Sequence, residues 1–127
     1  MKMLLPLSFV ATLLAAPAFA ECVAPANSVV IPDGATATKD ALLAAQHAIK
    51  DYNAAVTQFA DCLKTEQEAK LAAGGDKLSD ANRQKINLEY AARNNAEVDK
   101  LQQLADKFNL ELRAWKATQQ PATTPKP

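Results

Sequence analysis

The chain has 127 residues with 14 Lys+Arg and 14 Asp+Glu, a neutral balance. It offers no basic field for gripping phosphates, which argues against nucleic-acid binding. One His, two Cys and two Met, both of the latter within the first three residues, leave few routes to haem, zinc or nucleophilic catalysis, and no cofactor or metal is expected.

Residues 1–20 follow the order of a secretory leader: Lys2 gives the positive start, Leu4 to Ala16 the apolar stretch, and Ala18-Phe19-Ala20 a small-x-small cleavage site. Cleavage between Ala20 and Glu21 leaves 127 less 20, or 107 residues, with 13 Lys+Arg against 14 Asp+Glu. The apolar stretch is shorter than the roughly 20 residues that span a bilayer, so no membrane insertion is expected once the leader is removed. Cys22 follows the cleavage site, but Glu21 stands where lipid attachment needs a small residue. The expectation is an exported protein, periplasmic or secreted.

Residues 21–37 read as an extended arm: Pro25 and Pro32 break helix, Val23 and Val29-Val30-Ile31 are apolar, and Pro32-Asp33-Gly34 is a turn. In an oxidising compartment Cys22 and Cys62 pair as a disulfide, their separation of 40 residues favouring a staple over a redox or metal pair of the C-x-x-C kind.

From Thr38 the pattern turns helical. Leu42, Ala45, Ile49, Tyr52, Val56, Phe59 and Leu63 recur at alternating spacings of three and four, a heptad seam without Pro or Gly. Thr38 suits the N-cap, with Asp40 in the first turn, and Gly74-Gly75 ends the helix. A second helix starts at Ser79. Its seam reads Val98, Leu101, Ala105, Phe108, Leu112 and Trp115, while Ile86, Tyr90 and Asn94 step by four, a slip in phase. A connection of about five residues makes the helices antiparallel neighbours. Residues 119–127, rich in Pro and Thr, read as a disordered tail.

The fold class is therefore all-α: a long antiparallel two-helix, coiled-coil-like hairpin over 38–118 (helices near 38–73 and 79–118), with an N-terminal arm stapled by Cys22–Cys62. Folding at the turn pairs Leu42 with Leu112 or Trp115 and Val56 with Val98 or Leu101. The seam is apolar far from the turn and polar near it, at Glu66, Lys70, Gln84 and Asn87, so the turn end should be looser. Asn94 on the seam is either a register-fixing buried amide or a partly solvated one. The small residues Ala41, Ala48, Ala55 and Cys62, seven apart, form a shallow groove in which Val29 to Ile31 should pack. The arm reaches: Thr38 to Cys62 is about 36 Å of helix, against about 53 Å for sixteen extended residues.

Cys22, Ile31-Pro32-Asp33-Gly34, Ala37-Thr38, Tyr52, Cys62-Leu63 and the stretch from Phe108-Asn109 to Leu112-Arg113-Ala114-Trp115-Lys116 resemble a family of small exported proteins of Gram-negative bacteria. The resemblance covers nearly all of the chain after the leader. It implies a secreted helical hairpin with a disulfide, and it carries over no catalytic or binding residue.

His47 falls on the outer face one turn from Asp51, short of the three or four ligands a metal site needs. Carboxylates such as Glu66 and Glu89 have basic residues four positions on, Lys70 and Arg93, as on a solvated face. An enzyme is not expected. Tyr52, Phe59, Phe108 and Trp115 sit on the seams; core packing is the default for them, and any that stay exposed are the candidate interaction surface. The leading expectation is a non-enzymatic periplasmic interaction or envelope-associated protein with a protein partner or a second copy. A chaperone-like holdase and a small-ligand binder in a dimeric helical bundle are the alternatives.

Overall fold

A computed structural model describes residues 21–120; the leader, with Ala20 of the cleavage site, and residues 121–127 of the expected tail lie outside the described residues. Two long helices dominate, α1 over Lys39–Gly74 and α2 over Asp80–Gln119, separated by one 3-10 turn at Gly75–Lys77. Both N-caps are the residues expected. The Thr38 hydroxyl accepts from Ala41 N at 3.2 Å and the Ser79 hydroxyl from Asn82 N at 3.3 Å, each satisfying an amide that the helix leaves free. Gly75 ends α1 with φ 49°, a left-handed value that a side chain disfavours.

The helices pack antiparallel along their length. Leu42 meets Phe108, Leu112 and Trp115 at the open end, Tyr52 meets Glu97 midway, and Gln67 meets Asn87 near the turn. On α1 the seam is as read from the sequence: Leu42, Ala45, Tyr52, Val56, Phe59 and Leu63 are buried, with Ile49 half-buried.

On α2 one expectation is corrected. Val98 is not on the seam; it is 45 % exposed. Glu97 takes that position and is buried, and Glu111, half-buried, takes the equivalent place two heptads on. With those carboxylates counted, Tyr90, Asn94, Glu97, Leu101, Leu104, Phe108, Glu111 and Trp115 alternate by four and three, while Ile86, packed against the core, keeps the two successive steps of four from Ile86 to Asn94. A polarity-based reading passes over Glu97 and shifts the apparent stripe sideways to Val98.

The deepest packing also lies elsewhere than expected. Cys22, Phe59, Leu63 and Tyr90 form the core cluster, with Ile86 against it, and Leu63 is the most buried at 2 % exposed. At the far end Phe108, Leu112 and Trp115 are only half-buried. At Phe59 to Leu63 the arm is pinned by its disulfide and closes the cluster as a third chain segment.

The arm runs back along α1 and ends in the Cys22–Cys62 disulfide, with Cα atoms 5.9 Å apart. Val29 lies over Ala48 and Ala55 in the small-residue groove. Ile31 is half-buried, but Val30 between them is 79 % exposed, since an extended chain turns alternate side chains to opposite faces. At the other end of the arm Asp33 organises the turn, its carboxylate accepting from Ala35 N at 2.9 Å and its carbonyl from Ala37 N at 2.8 Å. Gly34 is buried and touches α2: its amide donates to Glu111 Oε2 at 2.8 Å, and a Cβ here would overlap the Glu111 carbonyl.

Candidate functional site

A two-helix hairpin has two long grooves, one on each side of the seam. The arm lies along one of them, leaving depressions beside Val29 and beside Glu66. Its bed on α1 is the column Ala41, Ala48, Ala55 and Cys62, and its polar fastenings come from the seam and from α2. Glu66 bridges three segments: it accepts from Cys22 N at 3.0 Å, from Tyr90 Oη at 2.8 Å and from Arg93 Nη1 at 3.4 Å. Arg93 Nη2 donates to the Cys22 carbonyl at 2.7 Å, and its guanidinium stands 5.4 Å from the Tyr90 ring centroid and 5.9 Å from that of Phe59. Both backbone groups of Cys22 are thus satisfied beside the disulfide.

The expected ion pairs along each helix give way to pairs between helices. Glu66 meets Arg93, and Lys70 meets Glu89 at 3.5 Å. Glu66 faces α2 across the seam, so its nearest cation is on the other helix. Midway along, the buried Glu97 accepts from Tyr52 Oη at 2.7 Å and from Lys100 Nζ at 2.6 Å, which compensates a carboxylate removed from water.

These contacts set the protonation states. The amide of Cys22 and then the Tyr90 hydroxyl hold Glu66 below the usual carboxylate range, against desolvation. Lys100 does the same for Glu97, with Tyr52 adding to it. Burial first, and then the neighbouring carboxylate, push Tyr52 and Tyr90 up to about 12. All four groups keep their ordinary charge states near neutral pH and fasten the structure; none is poised for proton transfer.

No arm residue lines the second groove. Three shallow depressions follow one another along it, at Leu42, Leu43, Phe108 and Trp115, at Ile49, Lys50, Val98 and Leu101, and at Ala60, Lys64, Asn87 and Asn94. The first two are mainly apolar, and the third carries amides. Leu43 is 42 % exposed in the first and Val98 45 % exposed in the second. Asn94 is half-buried, and its buried Oδ1 has no hydrogen-bond partner among the described residues.

Of the four aromatic residues named from the sequence, Tyr52 and Phe59 are buried and present no surface. Phe108 and Trp115 border the open groove. Leu43 and Val98 were missed as surface residues; the signal available was that the column Ala91, Val98, Ala105, Leu112 lies beside the true seam of α2. His47 is exposed, and among the described residues no group of three His, Cys, Asp or Glu side chains is placed to hold a metal ion. No helix among them is long and apolar enough to cross a membrane.

No protein-family model, curated protein or solved structure matches the chain.

Proposed function

We propose that the protein is an exported, non-enzymatic interaction protein of the bacterial envelope, which engages a protein partner through the arm-free side of its hairpin. One observation carries this reading: the two grooves of the hairpin are unequal, one overlaid and fastened by the arm, with depressions left beside Val29 and Glu66, the other free of arm residues and lined by Leu43, Ile49, Val98 and Trp115. Apolar side chains gathered along one open groove are the usual mark of a contact surface. Export is supported by the leader-like first 20 residues and by the disulfide, which persists in oxidising compartments.

The test is site-specific photocrosslinking in intact cells followed by fractionation. A photoreactive residue at Leu43 or Val98 should give a discrete adduct in the periplasmic fraction, and one at Val30, exposed on the arm side, should not. Adducts of equal yield from Val30, or none from Leu43 and Val98, would overturn the choice of face. Retention of the protein in the cytoplasm would overturn export.

A further inference from the structure

Each helix carries one column of small or apolar residues seven apart beside the seam, and the two columns face opposite sides. That of α1, Ala41 to Cys62, is occupied by the arm; that of α2, through Ala91, Val98, Ala105 and Leu112, borders the open groove. The charges of the grooves differ as well. Glu66 and Glu111 face the arm and accept its backbone amides. Lys39, Lys50 and Lys64 line the open groove, one in each depression, and no carboxylate lines any of the three. Asp106 stands at the rim, accepting from Gln102 at 2.9 Å. Among the described residues none of the three lysines is within ion-pair distance of a carboxylate.

From these two asymmetries we infer that the open groove receives an amphipathic helix of a partner protein, its apolar stripe seated on Val98 and Leu43 and its flank carrying Glu or Asp toward the three lysines. Apolar contact supplies the burial, and the lysines supply orientation and selectivity. Lys39 to Lys64 spans about 37 Å of helix, so an occupant of roughly 25 residues covers the row. A second copy is the poorer occupant, because two-fold packing sets lysine-lined grooves against each other without a carboxylate in either lining. The inference rests on the interaction reading above and adds the chemistry of the partner.

Binding is measured on the full, oxidised chain with two synthetic 28-residue peptides sharing a Leu/Ala heptad core, one with Glu and one with Lys at the flanking positions. Trp115, the one Trp in the chain, lies at the end of the groove and reports through its emission. The Glu peptide should shift that emission saturably and bind at least tenfold more tightly than the Lys peptide. The double variant Lys50→Glu/Lys64→Glu changes two exposed side chains, its fold checked by circular dichroism and melting, and should reverse the preference. Val98→Asp should abolish binding of either peptide. Equal affinity for the two peptides, an affinity unchanged in the double variant, or a groove-to-groove dimer in light scattering overturns the inference. Persistence of the Val98 crosslink to a partner protein alongside failure of the Glu peptide removes the acidic chemistry and leaves the interaction reading standing; loss of both removes both.

Discussion

Glu66 and Glu97 face inward from a chain whose other carboxylates mostly point to water; Glu66 is kept ionised first by the distant Cys22 amide, and Glu97 first by Lys100 on its own helix, with Tyr52 adding to it. Their pKa values in the fold are lowered from 4.5. A carboxyl with a lowered native pKa contributes stability that is full above its unfolded value and is lost as pH falls through the native one. Urea unfolding at a series of pH values should therefore show stability dropping below about pH 4.5. The variant Glu66→Gln/Glu97→Gln should be weaker at neutral pH and flatter on the acid side. The tyrosines act on the opposite limb: their phenols rise from 10.0 to about 12, so stability present below pH 10 is lost as pH climbs through 12. An acid limb of unchanged slope in the double variant would show that other groups govern it.

Among the elements, the helices were the most legible. Thr38 and Ser79 as caps, Gly74-Gly75 as terminator and the α1 seam depend on residues within one or two turns of each other, and all stand as read. The arm was legible in outline, through its prolines, the cysteine pairing and the alanine column. Its docking was not. Gly34 reads as a turn glycine, yet its φ is not positive, and what requires glycine is the approach of its Cα to the Glu111 carbonyl. Gly34→Ala should then destabilise by about 1–3 kcal/mol, as overpacking does, with the arm lifted from α2. Reducing the disulfide opens a loop of 40 residues and should cost about 4 kcal/mol by chain entropy. Chemical denaturation of the oxidised, reduced and Gly34→Ala proteins separates the two fastenings, and a Gly34→Ala protein as stable as the parent would rule out the close approach.

For the whole molecule, stability should be graded along the rod. The cluster of Cys22, Phe59, Leu63 and Tyr90 lies where the disulfide fixes the arm, whereas at the far end, held by the Gly34–Glu111 contact, Phe108 and Trp115 stay half-buried. Hydrogen exchange should be slowest in α1 around Phe59 to Leu63 and in α2 around Ile86 to Glu97, and faster by at least tenfold toward Leu112 and Trp115. Uniform protection along both helices would contradict a core localised by the arm.

What is local or periodic is legible in the residues alone: two capped helices, their antiparallel pairing through a short turn, and a staple long enough to hold an arm. Periodicity suffices there because neighbours three and four residues apart share a helix face whatever surrounds them. Which carboxylates are buried and which groove stays open depend on how distant segments come together in the fold. Glu97 is satisfied by Tyr52 from 45 residues away, and Glu111 by Gly34 from 77 away. A charged residue reads as solvated until its distant donors are in place, and a groove is known to be open only once the path of the arm is fixed.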